Sequence, residues 1–321
     1  MEKVIAVVVT YNRQQLLSEC IDALRSQTRR PDTIFVVNNG STDNTEAWLK
    51  SQNDISFISQ GNTGSAGGFY TAIEYAFKNG YTWTWCMDDD GYPKNDALEE
   101  LLNADNGEMK LLNCAVLDKE DKTSFVWNTG SYKKHTEVKE DVIAGVAHPF
   151  NGTLLHRKIV ERVGLPKASF FLWGEETEYY YRITKINNIK PYTITKSIHY
   201  HPATRFTVKG DWDHPTGWKM YYYVRNRFPV LKAKFNNRVL GFLAYACFLI
   251  AFAGVIIVFQ KTDRLRKLGF MFVSFKDALA GNFDTTPSTV LARLHSSMKY
   301  SNSLTGMIVG AFGTSHIQST V

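Results

Sequence analysis

Trp83-Thr84-Trp85-Cys86-Met87-Asp88-Asp89-Asp90-Gly91 reads as a short buried strand that ends in three carboxylates and then turns. Adjacent acids repel one another, and burying them without a counter-charge is costly. Hard oxygen ligands suit Mg²⁺ or Mn²⁺, ions that usually also hold substrate phosphates. The expectation is a metal-bound nucleotide diphosphate at the end of this strand. The plain alternative is a solvated acidic turn.

Upstream, Val4-Ile5-Ala6-Val7-Val8-Val9 is a continuous apolar run, as expected of a strand buried on both faces. Thr10-Tyr11-Asn12-Arg13 follows as a loop, then Leu16, Leu17, Cys20, Ile21 and Leu24 recur at helical spacing over 14–27. A second strand (33–37), a polar turn (Asn38 to Asp43) with helix-capping chemistry, a helix (44–51) and a third strand (55–58) come next. Asn62 to Phe69 is a glycine-rich loop opening a helix over 70–78. Strand–helix alternation with short links predicts an α/β, mostly parallel, doubly wound sheet. In such sheets ligands bind beyond the carboxyl ends of the strands. Thr10–Arg13, Asn38–Asp43 and Asp88–Asp90 all sit there, so three polar loops converge on one crevice. The Gly64–Gly68 stretch lacks GxGxxG spacing, and the first strand–helix link has no glycine, which argues against a dinucleotide-binding enzyme.

Downstream, strands are expected at 110–117 and 124–127 and a loop at 133–141. Further on come a helix at 156–163 ending at Gly164, an aromatic strand at Phe170-Phe171-Leu172 leading into Trp173-Gly174-Glu175-Glu176-Thr177-Glu178, and a strand at 196–201. Clustered Glu at a helix start is favoured by the helix dipole alone. His199 and His201 lie two residues apart on one strand face.

The chain has 321 residues and a formal net charge of +6, too small an excess to argue for nucleic acid. Its basic residues thicken after about residue 219, which suits an anionic membrane surface. Cys20, Cys86, Cys114 and Cys247 form no CxxC pair and lie among apolar residues, as expected of buried free thiols in a reducing compartment. Met1 leads directly into a strand, so a cytosolic N-terminal domain is expected. Val239 to Phe259 is an uncharged 21-residue stretch, long enough for a membrane span. Lys232, Lys234 and Arg238 precede it and Lys261, Arg264, Arg266 and Lys267 follow it, so orientation stays open. A helix in the cytoplasmic leaflet, a true span and a helix buried in an oligomer interface are the three readings. The expected domains are 1–215, the catalytic α/β unit, and 216–321, a C-terminal helical, membrane-associating region.

The pattern TYNR, VVNNGSTDNT, GNTGSAGGF and WCMDDDG resembles family 2 inverting glycosyltransferases of the GT-A fold, nearest their galactofuranosyl- and rhamnosyltransferase branches. The resemblance runs from about residue 4 to the stretch Lys276–Phe283. It implies an enzyme that moves galactofuranose or rhamnose from a UDP or dTDP sugar to a hydroxyl of a lipid-linked or surface-polysaccharide glycan at the cytoplasmic membrane face. Glu176 takes the general-base place, with Glu175 and Asp89 beside it. Asp88 and Asp90 with His201 (His199 as the alternative) take the metal place, for Mn²⁺ or Mg²⁺. Thr10, Tyr11, Asn12, Arg13, Asn38, Asp43, Asn62, Gly67, Gly68, Asp88 and Asn151 fall on the nucleotide and donor side. Trp173, Glu178 and Arg182 fall on the acceptor side. The family commonly has Asp where Asn38 and Glu176 stand. Tyr221-Tyr222-Tyr223 ahead of Arg225-Asn226 also matches, pointing to acceptor-site or membrane-proximal packing. A sugar-nucleotidyltransferase would need a glycine-rich basic loop after the first strand, and Thr10–Arg13 is not one. A non-catalytic sugar-binding module would not need both acidic clusters. Leu291, Leu294 and Met298 stand at helical spacing in a Ser- and Thr-rich tail without an assigned role.

Overall fold

The β-branched run near the N-terminus sets the centre of the sheet. The computed structural model describes residues 2–203, 210–213 and 217–293. In it Val4–Thr10 forms β1, with all 7 residues buried. The chain continues through α1 (Gln14–Arg25), β2 (Thr33–Asn38), α2 (Thr45–Lys50), β3 (Ile55–Ser59), α3 (Gly64–Lys78) and β4 (Trp83–Asp88). Then come β5 (Tyr92–Pro93), α4 (Ala97–Asn103), β6 (Lys110–Asp118), β7 (Ser124–Thr129), β8 (Tyr132–Lys134), β9 (Val142–Ala144) and β10 (Thr153–His156). α5 (Arg157–Val163), α6 (Glu175–Tyr181), β11 (Lys190–His201), α7 (Trp218–Phe235), α8 (Arg238–Phe259) and α9 (Arg264–Ala280) complete the order. Leu294 and Met298 lie outside the described residues.

The strand order is β3-β2-β1-β4-β10-β6-β11-β5. β1 to β4 are parallel, as read from the sequence. Beyond β4 the sheet is mixed: β6 and β11 still pair in parallel, beside shorter antiparallel pairings. β10 runs antiparallel to both β4 and β6, and β5, β7 and β9 also pair antiparallel. A four-residue strand shows burial in its composition but not direction, which its connections set. Alternation along β1 sends Val4, Ala6 and Val8 toward α1 and α4, and Ile5, Val7 and Val9 toward α3 and α5. The result is an α/β/α sandwich with a core on each face.

Three local expectations are corrected. The glycine stretch is not a loop before a helix but the first turns of α3, which begins at Gly64. A Cβ on Gly68 would overlap the Val9 side chain, so the missing side chains let α3 lie close on β1. Phe170 to Leu172 is not a strand: a short 3₁₀ turn (Ala168–Phe170) leads into a bend with positive φ at Phe171 and Trp173. Residues 133–141 hold part of β8 and a 3₁₀ turn (His135–Glu137). Cys20, Cys86 and Cys114 are buried free thiols as expected, but Cys247 is exposed on α8.

The chain divides into two compact units, Met1–Phe206 with Asn226–Tyr245, and Thr207–Arg225 with Ala246–Val321. In the second, Tyr221 and Tyr222 donate to Asp277 and to the Thr285 carbonyl, and the buried Arg225 reaches the Phe283 carbonyl at 3.1 Å. The tyrosine run is thus spent on internal packing. Lys267, expected among the basic flank, is fully buried and donates to Asp211 at 2.8 Å and Gln260 at 3.0 Å. α8 is the helix among the described residues that is long and apolar enough to cross a membrane. It leaves Val239, Leu243, Ile250 and Val258 exposed, Ile250 at 74%.

Candidate active site

Asp88 ends β4, Asp90 follows in the turn, and His201 ends β11, two strands that the sheet order keeps apart. One ligand atom from each lies within 4.8 Å of the others. His201 Nδ1 is 2.8 Å from the Pro202 carbonyl, so a neutral imidazole that donates there would offer its Nε2 lone pair to a cation. Nε2 stands 3.2 Å from Asp90 Oδ1, a buried oxygen without an aligned hydrogen bond. Two carboxylates and an imidazole lone pair converging on one point form the donor set of a Mn²⁺- or Mg²⁺-type site. Asp88 is held well above the usual carboxylate range by burial, then by the charges of Asp90, Asp89 and Glu176 against a smaller opposing effect of His201. A cation would reverse that penalty. Asp90 is disfavoured as an anion by burial, but His201 and Arg13 more than offset this and hold it low. Burial works against a charged His201, yet Asp90 and Asp88 raise it overall. His199, the alternative ligand, points elsewhere: it is fully buried, its Nε2 lies against Gly91, and neither ring nitrogen is hydrogen-bonded. Burial drives it down to about 3.

Asp89 turns away from this trio. It accepts from Thr10 Oγ1 at 2.7 Å and Arg13 Nη1 at 3.1 Å, while the same Arg13 nitrogen reaches Asp90 at 2.7 Å. Burial still raises its pKa against those two donors. The triplet is divided: the outer two acids face the convergence point and the middle one anchors the β1 loop. Asn12 Oδ1 accepts from the Thr42 and Asp43 amides, and its own amide donates to Ser41 Oγ. Asn38 is buried and bonds Ser59 and the Ser41 amide. Asp43 accepts from Thr45, and Asn62 from the Gly64 amide. These side chains stitch the first two loops into one wall, from which Tyr11 projects, 45% exposed. Gly67 and Gly68 are buried within α3.

A second cleft of about 100 Å³ is lined by Trp127, His148, Pro149, Asn151, Glu176, Thr177 and Tyr180. The Trp127 ring lies 4.9 Å from His201 and 5.3 Å from His148, so this cleft adjoins the metal-type trio. Asn151 is buried with Oδ1 unpartnered. Glu176 is pushed up to about 8 by desolvation and then by Glu175. It is also an exposed residue, so water in the open cleft offsets part of that rise, and the upward direction is what stands. Glu175 is buried, accepts from Ser65 and leaves Oε2 without a partner; burial raises it, opposed by Ser65. Trp127, His148, Tyr180 and Ser65 were not picked out from the sequence. An aromatic in a short hairpin carries no local signal of the cleft beneath it.

The three residues assigned to the acceptor side lie off the cleft wall. Glu178 is buried between Lys167 Nζ (2.9 Å) and Arg182 (3.1 Å), and Arg182 also donates to the Val163 and Leu165 carbonyls. Trp173 is half-buried at the bend before α6, its carbonyl bonded to Asn226.

The sequence profile described as glycosyl transferase family 2 matches residues 5–164. Galactofuranosyltransferase GlfT1 of Mycobacterium tuberculosis is 31% identical over 198 residues, 57% of this chain and 65% of the relative. The protein of the same name from Mycolicibacterium smegmatis is 32% identical over 200 residues, 57% of this chain and 66% of the relative. The chain thus spans just under two thirds of the length of these relatives. Among solved structures, Staphylococcus aureus TarS 1–349 in complex with UDP superposes with a TM-score of 0.54 at 14% identity, covering 99% of this chain and 94% of that one. Mannosyltransferase PcManGT from Pyrobaculum calidifontis, in complex with GDP-Man and Mn²⁺, gives 0.50 at 15% identity, covering 92% and 80%. The solved structures agree with the GT-A arrangement of the sheet, and the profile assigns residues 5–164 of this chain to glycosyl transferase family 2.

Proposed function

We propose that this protein is an inverting glycosyltransferase. It moves galactofuranose from a UDP sugar to a hydroxyl of a lipid-linked or surface-polysaccharide glycan, at the cytoplasmic face of the membrane. The observation that carries the reading is the meeting of two sites: Asp88, Asp90 and His201 around one point, and Glu176 in the adjoining cleft. The names of the GlfT1 relatives favour galactofuranose over rhamnose, and hence UDP over dTDP.

The donor diphosphate lies against Asp88, Asp90 and His201, which would hold Mn²⁺ or Mg²⁺. When bound, such an ion supplies positive charge against the leaving diphosphate. Arg13, Asp89 and Thr10 fix the loop that presents Asp90. The acceptor sugar lies over Trp127 and beside Tyr180. Glu176 takes the proton from its hydroxyl, the oxygen attacks the anomeric carbon from the far side, and the carbon–oxygen bond to the diphosphate breaks. General-base help of this kind is worth about 10²–10⁴-fold. A single displacement needs no carboxylate nucleophile and inverts the anomeric centre, unlike the double displacement of retaining enzymes. The raised pKa of Glu176 brings it toward the range where a base works best near neutral pH.

The basic, apolar C-terminal region supports membrane attachment through α8 and the exposed cations at its ends. Incubation with UDP-galactofuranose, Mn²⁺ and a glycan acceptor, with NMR of the product, tests the reading. Inversion at the transferred sugar is expected. Retention of configuration, or no galactofuranose transfer with any acceptor of a panel, overturns it.

A further inference from the structure

Glu175 and Glu176 are delivered by a bend that few sequences hold unaided. Phe171 has φ +62 and ψ −63, Trp173 has φ +61, and Gly174, at the start of α6, has φ +99. Two of these three residues carry bulky side chains in a region that such residues seldom occupy. A conformation of this kind persists only where its surroundings over-determine it.

The surroundings are specific. Asn226 on α7 is 1% exposed, and its Nδ2 lies 3.0 Å from the Phe170 carbonyl, 3.0 Å from that of Leu172 and 2.8 Å from that of Trp173. Its two amide hydrogens thus serve three carbonyls, one through a shared bond. On the other side the Phe171 carbonyl accepts from the Ala66 amide at 3.2 Å, and Ser65 bonds Glu175. The Gly174 backbone lies against Asn226 and Val230, close enough that a Cβ would stand 3.3 Å from each. Every carbonyl from Phe170 to Trp173 therefore has a donor, and three of the four share one side-chain nitrogen.

We propose that Asn226 is a positioning residue for the reaction: its carboxamide clips the bend 170–174 and so sets where Glu176 stands in the cleft. The inference rests on the glycosyltransferase reading for its kinetic consequence, but the clip itself is read without turnover. Neither aspartate nor alanine can replace the amide. An aspartate at this position would turn a carboxylate without donors toward three carbonyl oxygens, and an alanine removes the shared donor, leaving the Phe170 carbonyl its bond from the Leu172 amide. These three bonds all go to the bend that carries Glu176, so nucleotide binding should not depend on them.

The test compares the full-length wild type with Asn226→Asp and Asn226→Ala. Amide hydrogen exchange over 170–178 should speed up at least tenfold in both variants, with 83–90 unchanged. Titration with UDP and Mn²⁺ should give the wild-type affinity within about threefold. With transfer established for the wild type, kcat should fall about 10- to 100-fold with little change in donor KM, the effect expected of a misplaced base. The midpoint of the pH–rate limb should move down as Glu176 gains water. Variants that keep wild-type exchange over 170–178, or keep both kcat and the pH midpoint, overturn the proposal. So does a parallel loss of UDP binding, which would make Asn226 a general fold residue. An inactive wild type with locally faster exchange in the variants would instead sink the proposed function and leave the clip standing.

Discussion

Glu176 is where sequence and environment meet most sharply. As a base it acts only when ionised, and burial together with Glu175 raises its pKa, to about 8 before cleft water is counted. The sign follows: the active fraction grows as pH rises toward that value, and a higher pKa moves the whole limb upward. A plot of kcat/KM against pH should climb about tenfold per unit on the acid side and bend above the ordinary carboxylate range, near 4.3. Glu176→Gln should lose roughly 10²–10⁴-fold in kcat and with it that limb, while UDP affinity stays. A variant whose limb is unchanged would place the titrating group elsewhere. At the same scale, the resemblance put His201 ahead of His199, and the fold supplies the physical reason. Alternation put both on one strand face, but His199 pairs with Pro93 of β5 and lies against Gly91, whereas His201, at the end of the strand, meets Asp90.

At the scale of elements, α6 shows how one acidic run is split between tasks. Glu175, Glu176 and Glu178 all lie in its first turn, where the helix dipole favours them. Helical geometry turns Glu176 to the cleft and Glu178 into an ion pair with Arg182 one turn on. Removing one partner of a buried pair strands the other charge, which costs about 3–5 kcal/mol when burial is complete. Arg182 keeps some exposure, so Glu178→Ala should cost near the lower end, about 3 kcal/mol. Thermal or urea unfolding would measure it, and acceptor KM should stay near wild type. A raised KM at unchanged stability would return Glu178 to the acceptor side. The glycines of α3 teach the same lesson. Their run looked like a loop because glycine weakens helices, yet close packing on Val9 outweighed that preference.

For the whole molecule, the property to test is membrane attachment. α8 carries exposed Val239, Leu243, Ile250 and Val258, and exposed Lys232, Lys234, Arg238, Lys261 and Arg264 lie near its two ends. Each cation near an anionic surface is worth about 1 kcal/mol. Lys261→Glu with Arg264→Glu should therefore lower binding to phosphatidylglycerol-containing vesicles by at least tenfold at low salt. Co-sedimentation that is unaffected by the charges or by salt would favour insertion by α8 alone.

The parallel half of the sheet, the three polar loops at its carboxyl edge and both acidic clusters were legible in the chain itself. Local chemistry carries those signals: β-branched runs, turn residues, and carboxylates too close together to be idle. What the linear order could not express was direction and partnership. β10 was too short to declare itself antiparallel. Trp127 and His148 reach the cleft only because a hairpin and a buried loop fold over it. Asp89 faces away from the metal-type trio because Thr10 and Arg13, 79 and 76 residues away, bind it. The residue types that can do this chemistry are written in the sequence. Which of them face one another depends on contacts between distant segments, and those exist only once the sheet has formed.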